Sequence, residues 1–222
     1  MNTKIKQSIF QLLAAILFLA ACKESNTVTD VDGNVYKTVK IGSQIWMAEN
    51  LRVTKYRNGN PIFHVTDTAE WRKTQDGAWC SYNNNASNTK TYGLLYNGYA
   101  ISDSRNVAPE GWHVPHADEI TQLVAALKGD TIAAGKMKIS GMEVWLKPNT
   151  GATNESGFSA LPGGYRSGGG TFHTLKSNGY WWSDTKSYEM YSWSSRLYDL
   201  FADIQRDPQY LNYGLALRCV KD

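Results

Sequence analysis

"HADEITQLVAALKG" (His116–Gly129) sets the class of this fold. Ile120, Leu123, Val124 and Leu127 recur at the three- and four-residue spacing of one helix face. Asp118 and Glu119 stand in what would be the first turn and Lys128 in the last, each where the helix dipole favours its charge, and Gly129 follows as a stop. This is an amphipathic helix with a stripe for a core. A second short helix is predicted over Thr131–Ile139. Elsewhere the apolar runs are short and broken by Gly, Asn, Ser and Thr. The chain holds 8 Trp and 13 Tyr against 6 Phe, with 19 Gly. That balance predicts short strands joined by long loops. The expected class is α+β: small twisted antiparallel sheets with one or two main helices.

Upstream, "DVDGNVYKTV" (Asp30–Val39) sets two acids and an asparagine around a glycine. An EF-hand loop needs glycine at its sixth position and a bidentate acid at its twelfth. Counted from Asp30 these are Val35 and Ile41, so the calcium reading fails. Asp32-Gly33 instead supplies the positive-φ residues of a two-residue hairpin turn between partly alternating strands.

The first residues read as an address. Lys4 and Lys6 precede an apolar run from Ile9 to Ala21 whose only polar residue is Gln11. A basic start and a short apolar core make a secretory signal, and the run is short for a membrane span. Leu19-Ala20-Ala21-Cys22 resembles a bacterial lipobox, in which the cysteine thiol takes diacylglycerol. The expected organisation is a signal peptide over 1–21, a lipidated tether over 22–28 starting at Cys22, and one domain over 29–222. Lys23-Glu24 after the cysteine looks like part of a surface-export signal, so the expected place is the outer membrane, facing the cell surface, with a periplasm-facing anchor as the alternative. Removing the leader takes away two basic residues and no acid, so the formal net charge falls from +3 to +1. A near-neutral chain offers no electrostatic case for nucleic acid.

Several segments occur in a telling order: "DVDGNVYKTVKIGSQIWMAENLR", "YGLLYNGYA", "PEGWHVPHADEITQLVAAL", "NESGFSALPGGYR", "GYWWSDT" and a final "ALRCVKD". Together, from Thr29 to the last residue, they resemble the Fibrobacter succinogenes major paralogous domain family. The resemblance implies a secreted or lipid-anchored protein of Bacteroidota type and brings no established activity. The order of helix, "GFSALPGGYR" and Trp-rich strand is also similar to the C-type-lectin-like and formylglycine-generating-enzyme folds. Where the family often has cysteine before Pro-x-Gly-Trp, this chain has Ala108, so a usual cysteine partner is missing. Cys80 and Cys219 remain, with two readings open: a disulfide, or two separate buried thiols.

Catalytic patterns are sparse. His113 and His116 form an H-x-x-H interrupted by Pro115, and no acid or cysteine pattern elsewhere supplies the third and fourth ligands of a zinc site. No metal and no cofactor is expected. No nucleophile elbow is visible. "SGGG" (Ser167–Gly170) lacks the Lys-Ser/Thr of a phosphate loop and reads as a flexible connection. The reading is therefore a non-catalytic module binding a glycan or a protein, the alternatives being an enzyme of formylglycine-generating type or an envelope protein without a specific ligand.

Aromatic residues crowd the last third: Tyr165, Tyr180, Trp181, Trp182, Tyr188, Tyr191, Trp193 and Tyr198. Neighbours in a strand point to opposite faces, so Trp181 and Trp182 diverge. Either both sheet faces are covered, or one ring is free for ligand. The candidate ligand edge is Tyr165, Arg166, Tyr180, Trp181 and Trp182, with Arg166 and Arg218 expected to pair with acids such as Glu155 or Asp184. Asp67-Thr68-Ala69 and Asp130-Thr131-Ile132 resemble a short bacterial O-glycosylation motif at Thr68 and Thr131.

Overall fold

A computed structural model of the protein describes residues 26–222. The expected signal peptide, Cys22 and the first part of the tether lie outside the described residues. The rest of the tether does not hang free: Thr27 and Val28 belong to β1 (Thr27–Thr29), which pairs antiparallel with β2 (Val35–Ile41).

The hairpin between them forms, but its turn is longer than two residues. Asp30 to Asn34 bridge the strands, with Gly33 at φ 83°. Both carboxylates are spent on the chain itself. Asp30 Oδ1 accepts from the Asp32 and Asn34 amides, and its Oδ2 accepts from the Tyr36 hydroxyl at 2.6 Å. Asp32 accepts from the amide and hydroxyl of Thr54 and pairs with Lys55 at 3.1 Å.

β3 (Gln44–Met47) continues from β2, and the chain then returns to this sheet twice, through β7 (Trp112–His113) and β14 (Val220–Lys221). The order is β1-β2-β3-β14-β7, so the last strand is wedged between β3 and β7. A second sheet joins β4 (Phe63–His64), β5 (Ala78–Cys80), β6 (Leu95–Asn97), β13 (Gly214–Leu215), β8 (Tyr165–Arg166) and β9 (Phe172–His173) in that order. A third contains β10 (Asn178–Tyr188), β11 (Tyr191–Tyr198) and β12 (Gln205–Tyr210). The helices are short: α1 (Thr68–Lys73), α2 (Ser87–Tyr92), α3 (Gly98–Ile101), α4 (Ala117–Ala126) and α5 (Asp130–Met137). The class is α+β. Among the described residues no helix is long and apolar enough to cross a membrane.

α4 and α5 are the two helices expected from the pattern. Ile120, Leu123 and Val124 of α4 are buried. The α4 start is closed by Glu119, whose Oε2 accepts the backbone N–H of His116 at 2.8 Å, an arrangement that satisfies an otherwise orphaned donor. α2 begins inside "YNNNASNTK" (Tyr82–Lys90), a stretch whose polarity and turn residues point to an exposed loop, and runs on to Tyr92.

β10 divides the interior. Trp182 (0 % exposed) packs with Tyr36, Met47, Tyr96 and Leu217 on one side. Trp181 (5 % exposed) packs with Trp46, Trp145, Phe158 and the α4 stripe on the other. Both indole N–H groups are satisfied: Trp182 Nε1 donates to the Tyr96 carbonyl at 2.7 Å and Trp181 Nε1 to Asn50 Oδ1 at 2.9 Å. Both faces of this strand are covered, so neither ring is available to a ligand.

Trp181→Ala and Trp182→Ala should therefore each lose about 3–5 kcal/mol of stability, the usual loss for a fully buried indole. Denaturant unfolding of the two variants checks this. A variant with the wild-type midpoint would mean that its ring is not core.

Candidate functional site

The expected ligand edge survives in part. Trp181, Trp182 and Tyr180 are buried, and Arg166 is completely so. Arg166 faces no acid. Its guanidinium donates to the carbonyls of Gly170, Val65, Thr66 and Asp67 and lies over the Trp71 ring at 4.3 Å and the Phe172 ring at 4.9 Å. Arg218 likewise pairs with carbonyls and an amide oxygen rather than with Glu155 or Asp184. Ser167–Gly170 is a tight turn of the β8–β9 hairpin: the Ser167 amide donates to the Thr171 carbonyl and the Gly170 amide to the Ser167 carbonyl. Only Tyr165 of the expected set retains access to the surface.

Tyr165 belongs to a longer array. Its ring stacks on Tyr213 at 5.8 Å and 9° and on His173 at 5.1 Å, and it meets buried Tyr180 edge-on at 4.9 Å. Tyr213 stacks on Tyr210 at 6.3 Å, Tyr210 lies 4.1 Å from Tyr191, and Tyr191 meets Tyr188 at 6.1 Å. These contacts make an unbroken strip from the outer end of the β10–β11 hairpin to the β8–β9 hairpin. Tyr188 is 72 % exposed and Tyr210 50 %. His173 is also exposed, while Tyr165, Tyr191 and Tyr213 are half-buried.

Register explains the exposure. β10 pairs regularly with β11 as far as Trp182↔Ser194, then shifts register before Lys186 and again before Tyr188. Bulges of this kind bend and twist a strand. The residues beyond them leave the two cores, so their rings have no cover. Tyr188 and Tyr191 were visible as part of the aromatic crowd. Tyr210 and Tyr213 were missed, because a three-residue spacing across a turn carries no periodic signal.

A second cluster lies at the start of α4. His113 Nε2 is 2.9 Å from both Oε1 and Oε2 of Glu119, and its Nδ1 is 2.6 Å from Asp222 Oδ1. The His116 ring is 5.6 Å from the His113 ring. One donor atom each from His113, His116 and Glu119 fall within 4.8 Å of one another. The expectation that no acid completes the H-x-x-H is thus corrected. Glu119 does so, because Pro115 and the helix start fold the chain back on itself. Asp184 is nearby and half-buried; burial pushes its carboxyl above the usual range against the pull of both imidazoles. For His113, burial pulls the imidazole pKa down, but the bonds to Asp222 and Glu119 more than offset it, and the net shift is upward.

Cys80 and Cys219 are free buried thiols, not a disulfide. Cys80 lies in β5, within a satellite core with Trp71 and Val65, whereas Cys219 precedes β14 in the main core, where its amide meets Met47 Sδ at 3.4 Å. Burial pushes the Cys80 thiol up to about 11 and that of Cys219 higher still, so neither offers the thiolate that cysteine chemistry requires. Thr68 and Thr131 are exposed in the first turns of α1 and α5. The acid before each is engaged, Asp67 capping α1 and Asp130 bound to Arg206.

The family model described as the Fibrobacter succinogenes major domain matches residues 39–221. No curated protein and no solved structure matches the chain.

The position of His113 between two carboxylates has a pH consequence. Its folded pKa lies above the ordinary 6.5. The stabilisation it provides is therefore full below about 6.5 and is lost as pH rises through the elevated folded value. In buffers containing chelator, the stability advantage of wild type over His113→Asn should shrink as pH rises from 6 to 9. An advantage independent of pH would show that the ion pair contributes nothing.

Proposed function

We propose, for a chain that belongs to the Fibrobacter succinogenes major domain family, that it is a lipid-anchored, non-catalytic module that binds carbohydrate on its tyrosine strip. The observation that carries this reading is the continuous row of contacting rings Tyr188, Tyr191, Tyr210, Tyr213 and Tyr165, of which Tyr188 and Tyr210 are exposed and the other three half-buried. A sugar ring has a flat apolar face and a polar edge. A phenol offers the same pair, an apolar face and a hydroxyl, on a side chain with few rotamers to freeze. The row itself carries no charged side chain, which suits a neutral ligand. Tyr165, which meets buried Tyr180 edge-on, is held in place before the ligand arrives, which lowers the entropic cost of binding there.

The anchor follows from the leader: with Cys22 lipidated, the strip is displayed on the outer membrane, facing the cell surface. Thr68 and Thr131 are exposed enough to carry O-linked sugars. We read the architecture as C-type-lectin-like. Support comes from the C-terminal strand β14 lying between β3 and β7.

Two experiments test this reading. Lipid-free protein applied to a glycan array should bind a neutral oligosaccharide, with an affinity little changed by salt. Tyr188→Ala and Tyr210→Ala should each weaken binding at least tenfold, about 1.4 kcal/mol, without lowering the melting temperature. Binding unaffected by both substitutions, or no glycan bound at all, would overturn the carbohydrate assignment. Separately, Cys22→Ser should move the protein from the membrane fraction to the soluble one. Unchanged partitioning would sink the anchor.

A further inference from the structure

We propose that His113, His116 and Glu119 form a binding site for a divalent transition cation of the zinc class, with Asp222 orienting His113. Two imidazole nitrogens and one carboxylate make a donor set for zinc and its neighbours rather than for calcium or magnesium, which take oxygen. The three donors come from rigid places: His113 ends β7, His116 precedes α4, and Glu119 lies in its first turn. Zinc bonds of about 2.0–2.1 Å put tetrahedral donors about 3.3 Å apart. The His113–Glu119 separation of 2.9 Å needs to open by a few tenths of an ångström. The widest pair, at 4.8 Å or less, needs to close by about 1.5 Å for that geometry. The exposed ring of His116 has the freedom to do so.

The electrostatics make the same point. Asp222 Oδ1, 2.6 Å from His113 Nδ1, is placed to accept a hydrogen bond from an N–H at that nitrogen. The lone pair on Nε2 would then face two carboxylate oxygens at 2.9 Å. A metal ion between them would accept the Nε2 lone pair and pair with the carboxylate. A carboxylate behind a histidine ligand, holding its far nitrogen, is the usual support for a metal-bound imidazole. The dipole at the start of α4 opposes a cation. Asp118, Glu119, Asp184 and Asp222 offset it; Lys186 is the cation close enough to act on Asp184. Three protein donors leave a fourth position for water.

The test uses lipid-free protein stripped with chelator and dialysed to pH 7.5. Titration with zinc chloride should show one equivalent bound with micromolar affinity or better, and cobalt chloride should give the visible bands of a tetrahedral site. His116→Ala and His113→Asn should each weaken zinc binding at least tenfold while circular dichroism stays unchanged. Asp222→Asn should weaken it about 10–100-fold through the lost orientation. Because Glu119 also closes the helix start, Glu119→Gln is read only alongside these variants. No saturable binding, or binding retained in both histidine variants, overturns the proposal.

Discussion

The guanidinium of Arg218 is sealed in the interior and holds together parts of the chain that lie far apart in sequence. Its Nε donates to Asn50 Oδ1 at 2.7 Å, and its terminal nitrogens donate to the carbonyls of Phe158 and Ser159. Asn50 in turn accepts from Trp181 and donates to the Tyr92 carbonyl at 2.7 Å. One buried cation thus ties the segment after β3, the loop before β8, strand β10 and the C-terminus into a single object. Burial, which disfavours the charged form, pulls the Arg218 pKa down to about 9. The guanidinium stays charged at neutral pH, and each of its three nitrogens donates to an oxygen.

Two other buried cations follow the same rule. Lys138 Nζ donates to the carbonyls of Thr150, Tyr198 and Phe201 at 2.8–2.9 Å, with burial lowering its pKa to about 8. Arg166 collects four carbonyls between two aromatic rings. A fold of short strands and long loops leaves many backbone oxygens without a ladder partner. Buried oxygens of that kind must be satisfied. A cation with several fixed donors satisfies a cluster of them at once and thereby sets the loop's path. This is why the partners are carbonyls and not acids: an acid would use up the donors that the loops need.

The same arrangement decides where aromatic rings are free. With β10 covered on both faces, Trp181 and Trp182 anchor two separate cores. The register shifts then carry the outer end of the β10–β11 hairpin beyond those cores. Tyr188, Tyr191 and Tyr210 stand there, joined through Tyr213 to Tyr165. Stability and surface chemistry are thereby divided along one strand: its first half is a core element and its last residues are a surface.

The sequence alone determined what local forces can determine. The stripe of α4, the hairpin after Asp30, the α+β class and the family resemblance were all legible, because period, turn chemistry and motif order are properties of neighbours along the chain. The crowding of aromatics was legible too, but not which rings face water. Adjacent Trp181 and Trp182 differ only in what lies opposite each of them, and those residues come from elsewhere: Tyr96 and Leu217 for one, Trp46 and Phe158 for the other. Nor could the H-x-x-H at His113 show that Glu119 folds back onto it and that Asp222, the last residue, closes on its other side. The tertiary structure decided these points, because burial and the convergence of charges depend on contacts between residues distant in sequence, and no local pattern encodes them.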